Sequence, residues 1–173
     1  MPRASAELPP ACLGLLRGCE AIVHAGDHSE IGALEALRAL GPPVVAVHGN
    51  VDSDDVRRAL PADAFLDAGG LRIAVTHDAG PERGRAARMA RRFPDADGVV
   101  FGHSHIPLHE VPPSGPWLLN PGSPTDRRRQ PHHTMAILRI GDGAASAELV
   151  IVDGAEARQL PDALVRGRGD RAQ

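Results

Sequence analysis

Five residues of this chain carry side chains suited to metal chemistry: Asp27, Asn50, His77, His103 and His105. Each lies just beyond a short apolar run. Gly98 to Phe101 stops abruptly at Gly102-His103-Ser104-His105, the pattern of a buried strand that delivers polar groups at its end. In extended backbone, side chains two residues apart leave the same face, so this spacing lets His103 and His105 aim at one point, whereas a helix would splay them. From this stretch alone, a metal site and a polar loop with two surface histidines are equally open. Three further runs narrow the choice: Ala21-Ile22-Val23 precedes His24-Ala25-Gly26-Asp27, Val44 to Val47 precedes His48-Gly49-Asn50-Val51-Asp52, and Leu71 to Val75 runs into Thr76-His77-Asp78. In α/β sheets ligands gather where the carboxyl ends of strands meet, so these five side chains can be neighbours across about eighty residues of sequence. One carboxylate, one amide carbonyl and three imidazoles, with no thiolate, form a hard-to-borderline donor set suited to Mn, Fe, Zn, Co or Ni.

The elements that position them are short. Ala11 to Arg17 reads as a helix ending at Gly18, and Ser29 as the cap of a helix whose apolar positions Ile31, Leu34, Leu37 and Leu40 recur before Gly41-Pro42. A short helix is expected through Leu60. Phe65-Leu66, Gly69-Gly70 and Leu71 to Val75 predict a hairpin, and Pro81 opens a basic helix reaching about Phe93. His109-Glu110-Val111 and Trp117-Leu118-Leu119 predict short strands before Asn120-Pro121-Gly122-Ser123. Thr134 to Ile140 and Ala147 to Val152 predict a terminal hairpin, and Gly154 to Gln173 a frayed Arg/Gly/Asp-rich tail. Without repeats or a dividing linker, residues 1–153 read as one domain. Strands that alternate with helices early and pair as hairpins late indicate α/β architecture with a mixed sheet or two packed sheets.

Composition removes several classes of function. The chain has 173 residues, 42% hydrophobic and 24% charged, ordinary for a globular domain with its own core. Three Phe, one Trp and no Tyr leave little for base stacking or an aromatic cage. A net charge of −3 argues against general nucleic-acid binding. All nineteen basic residues are Arg, a GC-rich coding bias that lowers the weight of any single arginine. Cys12 and Cys19 have no CxxC spacing and read as thiols of a cytoplasmic protein, and the Pro-interrupted N-terminus has no signal-peptide or membrane-spanning run.

Ala25-Gly26-Asp27, Gly49-Asn50-Val51-Asp52, Thr76-His77, Gly102-His103-Ser104-His105 and Asn120-Pro121-Gly122-Ser123, in this order, resemble the calcineurin-like metallophosphoesterases, specifically the small bacterial phosphodiesterases of the YfcE type. The match spans roughly Ala21 to Val152. The resemblance implies an αββα sandwich of mixed sheets with a dinuclear metal site at the strand ends. It makes Asp27 the bridging carboxylate, with Asn50, His77 and His103 completing one metal and His105 on the other. Two divalent ions are implied, manganese foremost, with Ni, Co, Zn or Fe as alternatives. The implied chemistry is hydrolysis of a small phosphoester through a metal-bridging hydroxide.

The sequence departs from that pattern at its front. The family opens with a central strand ending in Asp-x-His, whose side chains share a metal with His105; here that strand is missing or truncated, and the chain as given holds only one ion well. The expectation drawn is a start codon placed too late, because losing a central strand strands backbone groups on its neighbours. The alternatives are a short form recruiting His28 or Asp78 to the second metal, or loss of catalysis. Val51 stands where the wider superfamily often has His, so the general acid is unassigned.

The remaining residues have plainer readings. His24 and His48 read as hydrogen-bonded scaffold, His132 and His133 as exposed, Asp78 as a cap for the Pro81 helix, and Gly122-Ser123 as a turn. Arg127-Arg128-Arg129 reads first as a solvated run and second as a grip on substrate phosphate, while Arg83 to Arg92 reads as a helix's polar face. Two functions compete: a metal-dependent phosphodiesterase acting on a small phosphoester, and a non-catalytic scaffold or binding protein of the same fold, as in eukaryotic retromer. Homo-oligomer formation is left open.

Overall fold

The computed structural model describes residues 8–165. Its elements run α1 (Pro10–Arg17), β1 (Ile22–His24), α2 (Ile31–Arg38), β2 (Val44–Ala46), α3 (Asp54–Ala59), β3 (Asp63–Ala68), β4 (Leu71–Thr76), α4 (Arg85–Arg92), β5 (Gly98–Phe101), β6 (Leu108–Glu110), β7 (Trp117–Asn120), β8 (Thr134–Gly141), β9 (Ala144–Ile151) and β10 (Arg158–Gln159), followed by a 3-10 turn at Asp162–Leu164.

A five-stranded mixed sheet, ordered β3-β4-β5-β7-β6, carries the middle of the chain. Its central strands β4, β5 and β7 are parallel, with antiparallel β3 and β6 on the edges. All four residues of β5 are buried, as a parallel strand covered on both faces must be. Alternation assigns the faces. Ala74, Val99, Phe101 and Leu118 join Met89 and Phe93 beneath α4, while Ile73, Val100 and Leu119 face Leu149 and Ile151 of β9. Gly98 lies opposite Trp117, and a Cβ there would sit 2.1 Å from the indole ring, so glycine admits the chain's one tryptophan.

The opposing layer is a β10-β9-β8 sheet and a separate parallel pair, β1 with β2. Among the described residues β1 pairs with β2 alone, and it is tied to the inner core through Val23 and Ala25. Helix α1 covers β8 and β9 from outside through Ala11 and Cys12, and α2 and α3 cover β2 through Leu34, Val56 and Ala46. With α4 on the far side, the layers are helix, sheet, sheet, helix, as the sequence indicated.

Three local expectations are corrected. The segment from Gly154 is not frayed up to Val165: β10 pairs with Val150 and Ile151, and Leu160 and Val165 are buried in the inner core. Two apolar side chains anchor a stretch whose average composition is polar; residues 166–173 lie outside the described residues. The basic helix begins at Arg85, not Pro81, because Gly84 stands at φ +73 and breaks the helical path. Neither Ser29 nor Asp78 caps a helix: the residue before α2 is Glu30, and Asp78 Oδ1 accepts the Gly80 amide at 2.7 Å in its own turn.

Candidate metal centre

The loops leaving β1, β2, β4 and β5 at their carboxyl ends converge. His77, directly after β4, donates its Nδ1–H to the Ala25 carbonyl on the loop after β1 at 2.7 Å, which turns Nε2 toward the other expected ligands. That atom faces Asn50 Oδ1 at 2.9 Å, His103 Nδ1 at 3.2 Å and Asp27 Oδ1 at 3.4 Å. His103 Nδ1 is also 2.9 Å from Asn50 Oδ1. The two imidazoles meet edge to face at 81°. An amide oxygen, a carboxylate oxygen and two ring nitrogens thus turn toward one another, a set of groups able to ligate a cation. The donors are closed in to hydrogen-bond distance. Among the described residues, no group of three or more His, Cys, Asp or Glu is spread at ligand spacing. The chemistry of the set fits a divalent cation, with the Ala25 carbonyl fixing the His77 tautomer as second partners of metal-binding histidines do.

Backbone strain accompanies the convergence. Asp27, His103 and His105 stand at φ +65, +63 and +58, a left-handed region that costs a non-glycine residue roughly 1–3 kcal/mol. This corrects the extended-backbone argument: β5 ends at Phe101, and a left-handed bend at each histidine sends them different ways. His103 joins the cluster. His105 donates Nδ1–H to the Asp126 carbonyl at 2.5 Å, on the loop between β7 and β8, leaving its Nε2 free to ligate. Burial pushes the His105 imidazole below its usual value; the Asp126 carbonyl and the Asp27 charge pull the other way, and Arg128 adds to the lowering. Of the five expected site residues, four are brought together and His105 stands apart. For a second ion the ligands expected among the described residues are Asp27 and His105.

The residue that sequence reasoning missed is Asp52. It is 6% exposed and accepts three backbone N–H groups, from Ser29 and Gly49 at 2.6 Å each and from Asp27 at 3.2 Å. One carboxylate therefore clamps the β1 and β2 loops and sets where Asp27 and Asn50 sit. Gly49 permits the fit, since a Cβ there would lie 2.1 Å from Asp27 Oδ1. On the other side, fully buried Asn120 donates to the Gly102 carbonyl at 2.8 Å and to Ser104 Oγ at 3.1 Å, and its Oδ1 accepts the Gly122 amide at 2.9 Å. The Asn-Pro-Gly-Ser loop is thereby the brace of the histidine loop. The turn expected at Gly122-Ser123 is present, with Gly122 at φ +78 and Ser123 Oγ accepting the Asp126 amide at 3.0 Å.

Beneath the cluster, His24 and His28 stack with centroids 3.8 Å apart. Burial pushes the His24 pKa down to about 3, with His28 and His77 contributing. The expectation that His24 and His48 are hydrogen-bonded scaffold fails at one atom of each: both Nδ1 atoms, with His28 Nε2 and Ser53 Oγ, are buried without a hydrogen-bond partner among the described residues. His132 and His133 are not simply exposed. Both donate to Asp153, at 2.8 and 3.0 Å, and these bonds with the His133 amide outweigh burial and hold the Asp153 carboxyl below its ordinary value. Nor is the α4 arginine face merely solvated. Arg88 donates to the Ala79 and Pro81 carbonyls, Arg85 lies over Phe101, and Arg92 pairs with Asp63.

Comparison with known proteins establishes the family. A family model described as the calcineurin-like phosphoesterase superfamily domain matches residues 4–143. The chain belongs to that family. Calcineurin-like phosphoesterases are in general phosphoester hydrolases that use divalent metals. A probable metallophosphoesterase of Methanothermobacter thermautotrophicus is 30% identical over 163 residues, 92% of each chain. Among solved structures, Vps29 from Entamoeba histolytica complexed with Zn²⁺ superposes with a TM-score of 0.74 at 23% identity, covering 91% of both chains. The Thermotoga maritima protein TM1076 does so at 0.68 and 28% identity, covering 87% of this chain and 92% of that one. The Vps29 likeness speaks to the fold alone. Among the described residues no helix is long and apolar enough to cross a membrane.

Proposed function

We propose that this calcineurin-like phosphoesterase is a metal-dependent phosphodiesterase acting on small phosphoesters in the cytoplasm. The observation that carries the reading is the closure of Asp27, Asn50, His77 and His103 on one point, oxygen and nitrogen groups of the class that binds divalent ions. These four residues would hold a divalent ion, and Asp27 with His105 would contribute to a second, manganese being the expected metal. Such ions supply Lewis acidity toward phosphoryl oxygens and make water a nucleophile near neutral pH. The protein's part is orientation. The Ala25 carbonyl keeps the His77 proton on Nδ1, the Asp52 clamp holds Asp27 beside Asn50, and Asn120 fixes the bend that carries His103 and His105.

A second reading, a non-catalytic binding protein, is favoured by one observation: among the described residues no more than Asp27 and His105 are expected at the second ion. Manganese-loaded protein assayed on bis-p-nitrophenyl phosphate separates the two. Steady release of p-nitrophenol supports the enzyme; no turnover with Mn, Ni, Co or Zn at full loading overturns it in favour of the binding protein.

A further inference from the structure

The loop between β7 and β8 carries three consecutive arginines, and they are used differently. Arg127 is spent on the fold: its guanidinium donates to the Gln130 carbonyl at 2.7 Å, and the Gln130 amide donates back to the Arg127 carbonyl at 2.8 Å. Arg128 is held by its backbone only, its amide donating to Asp126 Oδ1 at 3.1 Å with φ at +48. Among the described residues its guanidinium has no hydrogen bond or ion pair. The backbone that holds it is the one that holds His105. Asp126 is fixed by Ser123 Oγ and offers its carbonyl to His105, and Arg128 follows two residues later, its Cα within about 7 Å of that of Asp126. Arg129, also exposed, lies one residue farther from that carbonyl. An uncommitted guanidinium is thus carried by the loop whose Asp126 carbonyl holds His105, two residues from His103. A planar fork of N–H donors matches the oxygens of a phosphoryl group, and bulk solvation alone would not need a left-handed backbone to place it.

We propose that Arg128 is a phosphate anchor, its guanidinium taking non-bridging oxygens of a phosphoryl group seated against Asp27, Asn50, His77 and His103. This rests on the phosphoesterase reading and adds a specificity determinant to it. Attraction grows with the charge on the phosphate, so a dianionic monoester gains more from Arg128 than a monoanionic diester does.

The test is isothermal titration of the manganese-loaded full chain with inorganic phosphate, run on wild type, R128A, R128K and R129A, alongside KM and kcat for bis-p-nitrophenyl phosphate. R128A is expected to weaken phosphate binding about ten- to a hundredfold and to raise KM more than it lowers kcat, with partial recovery in R128K and no more than about a twofold change in R129A. Equal phosphate affinity in R128A and wild type would overturn the proposal. So would equal losses in R128A and R129A, which mean a diffuse charge effect, or no phosphate binding by wild type. Arg128-dependent phosphate binding without turnover of any ester would leave the anchor standing and remove the phosphoesterase reading instead.

Discussion

His103 and His105 are two residues apart on one loop, yet their surroundings are built to different standards. His103 meets a set assembled from four strand-end loops, with His77 locked by the Ala25 carbonyl and the β1 and β2 loops clamped by Asp52. His105 leans on one carbonyl of one surface loop. The first environment is over-determined, because moving any one donor requires moving a buried carboxylate or a core strand. The second depends on turns at Ser123 and Asp126 in a segment exposed from Thr125 to Arg129. Rigidity is concentrated where one ion would be held, while the His105 side depends on a single exposed loop.

The widest gap between the two should open on substitution. His103→Ala should abolish the first manganese equivalent in titration calorimetry and lower kcat by at least about 10²–10³-fold. His105→Ala should leave that first equivalent bound and cost about 10–100-fold, the scale of a supporting contact. Equal losses in the two variants would erase the distinction. Next comes the clamp. Asp52→Ala leaves three backbone N–H groups without their acceptor and is expected to cost about 3 kcal/mol in urea unfolding, with weaker manganese binding, although Asp52 is not itself among the expected ligands.

The smallest effect is that of acid. His24 titrates at about 3 when folded and near 6.5 when unfolded, so the unfolded chain binds more protons between these values. Its contribution is complete above pH 6.5 and is lost as pH falls toward 3, on the order of 1–2 kcal/mol by pH 5.5. Urea midpoints measured in chelator at pH 7.5 and 5.5 should therefore converge in His24→Leu relative to wild type.

What the sequence made legible follows from physics that acts locally. Apolar runs that stop at polar residues marked β1, β2, β4 and β5, and the loops beyond them carried every residue expected in the site. Conformations that depend on distant partners were not legible. Histidines at positive φ look like any others in sequence, so the extended-backbone reading of His103 and His105 was the natural one and was wrong. Asp52 escaped because its partners are backbone amides, which leave no trace in residue identity. The tail escaped because two buried side chains, Leu160 and Val165, anchor a stretch that also carries Glu156, Arg158, Gln159 and Asp162.

That tail has a practical reach. Composition alone would invite an engineer to trim the chain at Gly154 or to splice a partner there. Doing so would strip β10 from β9 and lift Leu160 and Val165 off the inner core that Ile73, Val100 and Leu119 share with Leu149 and Ile151. The same core backs the strands whose ends carry His77, His103 and Asn120. A fusion joined beyond Val165 spares that packing, whereas one placed twelve residues earlier would loosen the floor of the metal centre from behind.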